Sequence, residues 1–379
     1  MKFTVERDVL AEAVSWTART LPARPAVPVL AGVRLAAQSS GEVAISTFDY
    51  EVSARSVIEA NVEEAGTVLV LGRLLADIVK ALPNRPVTLA LEGAKVEVRS
   101  GSSRFTLMTM PLDDYPELPA LPPVLGNVDA HLLQQAVAQV SLAASRDETL
   151  PLLGGVRVEI DGERMRLMAT DRYRLAVREL LWHPSATGLE VQALIKAKTL
   201  SDVSKSLSSG GAVELALSTQ SEPGMPSLVG FAAGGRTTTS LLTEGDYPPV
   251  MRLFPTETPV YAVVRTDDLI GAVKRVSLVA ERNTSIRLSF TSEGLTLEAG
   301  QGEDAHAAEE IGVLLSGEEL VTAYNPHYLL DGLSAVGTEY VRLSFSHPSK
   351  PAVLTGQNEE EGESLPDFRY LLMPIRFGN

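Results

Sequence analysis

Cysteine is absent from the 379 residues. Disulfides and thiolate chemistry are therefore excluded, and a reducing compartment suits the chain. Histidine is scarce: His131, His183, His306, His327 and His347 are the whole set, and none lies at metal-ligand spacing from another. No stretch approaches the roughly 20 apolar residues of a membrane span. The N-terminal Met1-Lys2-Phe3-Thr4-Val5-Glu6 lacks the apolar run of a signal peptide. A cytoplasmic protein is the expectation. Positive charge is in deficit, with a formal net charge of −15. That argues against a whole-surface grip on nucleic acid, because phosphate binding depends on clustered Lys and Arg. It leaves room for a local basic face.

Catalytic constellations are missing as well. There is no Gly-x-Gly-x-x-Gly, no phosphate-binding loop and no nucleophile elbow. Asp113-Asp114 and Asp267-Asp268 are adjacent carboxylates, but neighbours on a strand point to opposite faces. Asp267-Asp268 also sits where acidic residues favour a helix start. The expectation is no catalytic residue, no metal and no cofactor, with a multidomain enzyme of unrecognised chemistry as the outside alternative.

What is present is a globular composition, 45% hydrophobic and 21% charged, in a chain long enough for two or three domains. A threefold repeat organises it. The core Leu-x-x-Ala-Val, at helical spacing, begins at Leu10, Leu133 and Leu269. A second helix recurs around Leu75, Leu200 and Leu330, at intervals of 125 and 130 residues. Asp114-Tyr115-Pro116 returns as Asp246-Tyr247-Pro248. Such intervals exceed solenoid periods and mark duplicated domains. Proline-rich connectors fall at 116–123 and 248–255, where they stiffen the joints. The expected fold class is α+β, three domains at 1–122, 126–253 and 257–379, each with two helices on antiparallel sheet. The run Glu359-Glu360-Glu361-Gly362-Glu363 reads as a solvated loop before the last strand.

The most distinctive stretch is Ala169-Thr170-Asp171-Arg172-Tyr173-Arg174-Leu175-Ala176. Strand alternation leads into a turn at Thr170-Asp171, where both side chains can bond their own backbone. A second strand leaves with Tyr173, Leu175 and Val177 on one side and Arg172, Arg174 and Arg178 on the other. That makes a candidate peptide-docking corner; a plain hairpin with a solvated arginine face is the alternative. Charge adds a second signal. The candidate helices 6–20, 73–80, 131–145, 196–205, 267–282 and 326–335 sum to +1, leaving −16 for the rest. A neutral-to-basic helical face inside an acidic protein could tolerate DNA, with Lys196, Lys198 and Lys205 its densest cluster.

These residues, together with the terminal Tyr370-Leu371-Leu372-Met373-Pro374-Ile375-Arg376-Phe377, the opening Met1-Lys2-Phe3, Leu21-Pro22-Ala23-Arg24-Pro25 and Phe105-Thr106-Leu107, resemble the bacterial DNA sliding clamp family, the β subunit of the replicative polymerase holoenzyme, over essentially the full length. The resemblance implies a three-domain subunit in a head-to-tail homodimer, a ring around duplex DNA with helices inside and sheets outside. It implies a non-catalytic processivity factor that tethers the replicative polymerase, the clamp loader and repair factors, with no membrane partner. It also implies a peptide-binding groove of Leu153, Thr170, Tyr173, Arg174, Leu175, Pro248, Leu253, Asn325, Tyr328, Leu371, Met373, Pro374, Ile375 and Arg376. The segment from Tyr370 to Phe377 would form an edge beside Thr170–Leu175. DNA-facing positions would be Arg24, Arg73, Lys196, Lys198, Lys205, Lys274, Arg275 and Arg282, and the dimer interface would use Phe105, Leu107 and Leu278. Two departures stand out. Arg172 and Tyr173 occupy positions where many members carry a small residue and a histidine, and the chain continues into Gly378-Asn379. The first motivates an alternative within the family, a divergent copy that confers tolerance to a groove-binding inhibitor.

Overall fold

The computed structural model describes residues 1–206, 211–218, 227–280, 284–300 and 305–375. By internal packing the chain forms two compact units. The first comprises Met1–His131, His183–Thr187 and Asp202–Leu242; the second comprises Leu132–Trp182, Gly188–Ser201 and Thr243–Asn379. Among the described residues six α-helices occur: α1 Arg7–Ala18, α2 Gly72–Ala81, α3 Ala130–Ser141, α4 Ala197–Ser206, α5 Thr266–Val276 and α6 Pro326–Val336. They are the three pairs read from the repeat. Lys196, expected on a helix, instead ends the strand Glu190–Lys196.

Helix α2 illustrates why these segments fold as they do. Leu75, Ile78 and Val79 are buried while Arg73, Asp77 and Lys80 are exposed, an apolar stripe at intervals of three and four. In the first unit α1 and α2 bury Leu10, Val14, Leu75 and Val79 with residues of two antiparallel sheets. One sheet has five strands, in the spatial order Asn61–Glu64, Lys2–Val5, Val87–Glu92, Lys95–Ser100, Ser103–Met108. The other has nine, and its middle is the antiparallel pairing of Val52–Glu59 with Arg236–Leu241.

The second unit repeats the plan. Its nine-stranded sheet runs Glu190–Lys196, Gly155–Asp161, Arg164–Thr170, Arg174–Leu181, Ser364–Leu372, Ala352–Gln357, Tyr340–Phe345, Val260–Arg265, Leu314–Ser316. A four-stranded sheet, Ala307–Ile311, Leu295–Ala299, Ile286–Phe290, Leu320–Tyr324, completes it. The pairing of Arg174–Leu181 with Ser364–Leu372 matches the middle pairing of the first unit. The acidic run 359–363 is the exposed loop leading into Ser364–Leu372.

Helix α6 is specified at both ends. Asn325 Oδ1 accepts hydrogen bonds from the backbone N–H groups of His327 (2.9 Å) and Tyr328 (3.3 Å), and Pro326 stands in the first turn. Gly337 closes the helix in the left-handed region, at φ 71°. Gly332 lies where α6 crosses the buried Tyr370 ring; a Cβ there would sit 2.5 Å from Tyr370 Cδ1. Ala would ordinarily improve a helix interior, but here the fully buried ring must move. Gly332→Ala is expected to destabilise the protein by about 1–3 kcal/mol, read from urea denaturation midpoints; unchanged or raised stability would show that the ring has room to yield.

Candidate functional site

The hairpin 170–175 is fixed by its own side chains. Asp171 Oδ1 accepts from the backbone N–H of Tyr173 (3.0 Å) and of Arg174 (3.1 Å). Thr170 Oγ1 donates to the Arg174 carbonyl at 2.6 Å. These bonds hold Arg172 at φ 80°, a left-handed conformation that non-glycine residues rarely adopt. The turn read from Thr170-Asp171 is therefore present, but the side-chain disposition differs from expectation. Arg174 is buried, not part of a solvated arginine face, and Leu175 points into the core.

The Arg174 guanidinium is the hub. Its Nε donates to Asp171 Oδ2 at 2.9 Å and its Nη1 to Asp331 Oδ2 at 2.5 Å; Nη1 also approaches the Tyr370 hydroxyl at 3.4 Å. Its carbon lies 4.4 Å from the centre of the Tyr328 ring. Burial opposes its charge, but Tyr370, Asp331 and Asp171 outweigh that and hold its pKa above the ordinary value. Tyr370 in turn donates from its hydroxyl to the Tyr328 carbonyl at 2.8 Å, and burial raises its own pKa. Tyr173, 54% exposed, stacks on Tyr328 with ring centres 6.0 Å apart. One cation thus ties the hairpin, α6 and the final strand together.

Below this hub lies an apolar floor. Leu175 pairs with Leu371 in register, and both join Met168, Val177 and Val250 in a buried cluster. Tyr247, Met251 and Phe254 of the connector pack against it, with the Arg369 guanidinium 4.7 Å from the Phe254 ring centre. Each fully buried leucine contributes about 1.5–3 kcal/mol. Pro248 and Leu253 are exposed on the same connector. The C-terminal segment then leaves the sheet. The Met373 N–H donates to the Tyr173 carbonyl at 2.9 Å and the Ile375 N–H to the Ala323 carbonyl at 2.8 Å, with Pro374 between them. The Met373 side chain stays 41% exposed.

Most of the expected groove residues therefore converge: Thr170, Tyr173, Arg174, Leu175, Asn325, Tyr328, Leu371 and the 373–375 segment, with Pro248 and Leu253 on the packed connector. Several corrections follow. The strand Ser364–Leu372 is interior, flanked by Arg174–Leu181 and Ala352–Gln357, so Tyr370–Leu372 is no edge segment. Leu175 and Leu371 are 1% exposed and form floor beneath the surface. Leu153 belongs to the turn before Gly155–Asp161, not to a strand; its N–H donates to the Leu150 carbonyl. Arg376 and Arg282 lie outside the described residues. The anchoring partners Asp331, Tyr370 and Tyr247 were missed. Their only signal was position, since Asp331 stands in the repeated second helix and Tyr247 in the repeated Asp-Tyr-Pro.

The other expected surfaces divide. Arg24, Arg73, Lys196, Lys198, Lys205 and Lys274 are exposed, and Arg73 donates to the Leu21 carbonyl at 3.2 Å. Arg275 is exposed as well, but its guanidinium is already forked onto Glu309, Nε to Oε2 at 2.9 Å and Nη2 to Oε1 at 2.5 Å, a pairing any DNA contact would have to share. Leu278 is 83% exposed and Phe105 is also exposed, on the edge strand Ser103–Met108. Leu107, expected beside Phe105 at the interface, has its side chain turned inward. It is buried in the first unit's core, paired in register with Val96, because a strand covering one sheet face must turn some side chains inward. Among the described residues no cluster of acidic and histidine side chains could hold a metal ion, and no helix is long and apolar enough to cross a membrane.

The arrangement is an apolar floor, an aromatic ledge of Tyr173 and Tyr328, and a C-terminal segment tied by two amides. Its class is settled by comparison with solved structures, which make it a DNA-clamp fold. A crystal structure of the sliding clamp from Bacillus subtilis superimposes with a TM-score of 0.91 at 27% identity over 100% of both chains. A Pseudomonas aeruginosa sliding clamp bound to griselimycin does so at 0.90 and 27%, again over 100% of both. The particular family follows from sequence. The N-terminal, central and C-terminal domains of the DNA polymerase III beta subunit match residues 1–119, 127–249 and 251–376. The chain is 52% identical over 376 residues to the beta sliding clamp of Streptomyces coelicolor, covering 99% of each. It is 45% identical over 377 residues to the beta sliding clamp homolog GriR of Streptomyces muensis, covering 100% of each. The chain belongs to the DNA polymerase III beta subunit family, the bacterial beta sliding clamps.

Arg174 carries a clear test. Arg174→Ala leaves Asp171 and Asp331 without their cation and is expected to cost about 3–5 kcal/mol, measured by urea unfolding. Arg174→Lys keeps the charge but loses the fork and should fall between Ala and the parent. Equal stability of all three would deny the hub its role.

Proposed function

We propose that this protein is a processivity clamp. Two copies join head to tail in a ring around duplex DNA, and the groove takes short linear motifs from the replicative polymerase, the clamp loader and repair factors. The carrying observation is the convergence of Tyr173, Arg174, Tyr328 and Met373 over an apolar floor, in a chain that belongs throughout to the sliding-clamp family. The ring's units are three domains at 1–122, 126–253 and 257–379. Action is mechanical and non-catalytic, and its setting is the cytoplasm.

The physics is tethering. A polymerase held on a ring rebinds its template as an intramolecular event at raised effective concentration. A chain of net charge −15 does not clutch DNA tightly. The exposed Arg24, Arg73, Lys196, Lys198, Lys205 and Lys274, with Arg282, make exchangeable phosphate contacts that position without reading sequence. Met373, Pro374 and Ile375 give the groove an adaptable lip suited to several motifs.

Ring closure uses exposed sheet edges. Ser103–Met108 ends one sheet of the first unit and Ala307–Ile311 ends one of the second, and each offers unpaired backbone groups on one side. Phe105 and Leu278 supply the apolar contacts. A second reading rests on Arg172 and on the Tyr173–Tyr328 stack, which add bulk at the rim: a divergent copy that tolerates a groove-binding inhibitor. Comparing partner-peptide and inhibitor affinities with a second clamp from the same cell separates the two.

The direct test loads the protein onto nicked circular DNA. Retention is expected on the circle and rapid loss after linearisation; equal retention on both would reject encirclement. Removing Met373 to Asn379 should abolish binding of a fluorescent polymerase-tail peptide while sparing the dimer, and equal binding by the truncated ring would move the partner site elsewhere. Leu278→Asp should weaken the dimer at least about a hundredfold, about 2.7 kcal/mol, by burying a charge without a partner. Sedimentation at nanomolar protein checks this, and an unchanged dimer would remove Leu278 from the interface.

A further inference from the structure

The first unit contains a near copy of the hairpin that builds the groove. Asp49 Oδ1 accepts from the N–H groups of Glu51 (3.0 Å) and Val52 (2.7 Å), as Asp171 does from Tyr173 and Arg174. Tyr50 adopts φ 73° where Arg172 adopts φ 80°; these are the positive-φ non-glycine residues among those described. Tyr115, of the first Asp-Tyr-Pro, receives the Phe48 N–H on its hydroxyl at 2.7 Å, and Tyr247 of the second packs against the Met168–Leu175 cluster. Leu112 and Leu118 of the 112–121 connector pack with Val29, Leu30, Leu69 and Tyr115. Between that connector and the nine-stranded sheet lies a cleft of about 800 Å³, a volume typical of ligand sites.

Its floor differs from that of the first groove. One row in register crosses four strands: Arg34 opposite Ser46, Ser46 opposite Arg55, and Arg55 opposite Thr237. All four line the cleft. Among the described residues neither guanidinium has an ion-pair partner. With strands about 4.8 Å apart, their backbones lie about 9.6 Å from each other. The short, buried Ser46 side chain leaves a gap between them. Beside the row, Ser53 and Thr239 share a hydrogen bond of 2.6 Å, so the floor is polar and otherwise satisfied. On the connector wall Asp113 and Glu117 are exposed to solvent.

We propose that this cleft is a second docking site, for an acidic linear peptide of a partner protein. A carboxylate of the peptide sits between Arg34 and Arg55, and a flanking basic residue meets Asp113 or Glu117 on the wall. The row spans about 14 Å, which about four extended residues cover, so the cleft is sized for a peptide segment and not for a single anion. Arginine forks match carboxylates in bidentate geometry. The site lies wholly in the first unit and does not depend on ring formation.

The test uses the full-length protein and a fluorescein-labelled heptapeptide with two aspartates separated by a leucine and one flanking lysine, against the same peptide with asparagines. Anisotropy titration at low salt should give at least about tenfold tighter binding of the aspartate peptide, a preference that closes as salt is added. Arg34→Gln and Arg55→Gln should each remove about tenfold, with thermal melts unchanged. Excess unlabelled polymerase-tail peptide should not displace the probe, nor should inorganic phosphate at the same concentration. The proposal is overturned by no measurable binding, equal affinity for the two peptides, unchanged binding in both variants, displacement by the tail peptide, or displacement by equimolar phosphate, which would make the cleft a simple anion site.

Discussion

The pairing of Arg174–Leu181 with Ser364–Leu372 is the interaction on which the groove depends. It joins residues nearly two hundred positions apart, so its loop-closure cost is met only when much of the second unit is already folded. In return it stacks Leu175 on Leu371 and delivers Tyr370 to Arg174 and α6. Without that ladder the hairpin would retain its Asp171 turn, which is local, but would have no floor and no hub.

The buried guanidinium of Arg174 shows how the hub stays charged. An ion removed from water survives only with compensation on several sides. Here a carboxylate from its own turn, a second from α6, a phenol from the last strand and the face of Tyr328 surround it. These partners come from three different elements, so the ion pair reports correct assembly more than it adds net stability. The lip beyond it is lightly held. Between Leu372 and Ile375 the backbone is tied by the Met373 and Ile375 amides, while the Met373 and Ile375 side chains stay exposed.

The two units show one design with different chemistry. Both carry an aspartate-stapled hairpin with a left-handed residue at its tip, a packed tyrosine from an Asp-Tyr-Pro, and a connector over the sheet. In the second unit the floor is leucine, methionine and valine. In the first it is arginine, serine and threonine. Duplication fixed the backbone and left the floor free to diverge, because outward positions on a sheet are constrained less by packing than inward ones.

Much of this was legible in the order of residues. Helical spacing around Leu10, Leu75, Leu133, Leu200, Leu269 and Leu330 specified six helices, and the Thr170-Asp171 pair specified a turn, because both depend on neighbours within four positions. The octapeptide 169–176 and the terminal run were enough to recognise the family. Which way side chains faced was not legible. Arg174 was placed on one strand face with Arg172 and Arg178 and is instead buried among ion-pair partners; Leu107 was placed at the dimer interface and its side chain packs into the first unit's core; Arg275 was placed among DNA-facing cations and is forked onto Glu309. Two of those outcomes were decided by a partner distant in the chain, Asp331 for Arg174 and Glu309 for Arg275. The same holds for the row Arg34–Ser46–Arg55–Thr237, whose members come from four strands and face one cleft only because the sheet brings them into register. Local sequence sets local conformation through short-range sterics and hydrogen bonding. Burial and charge pairing belong to contacts that exist only once the chain has closed on itself.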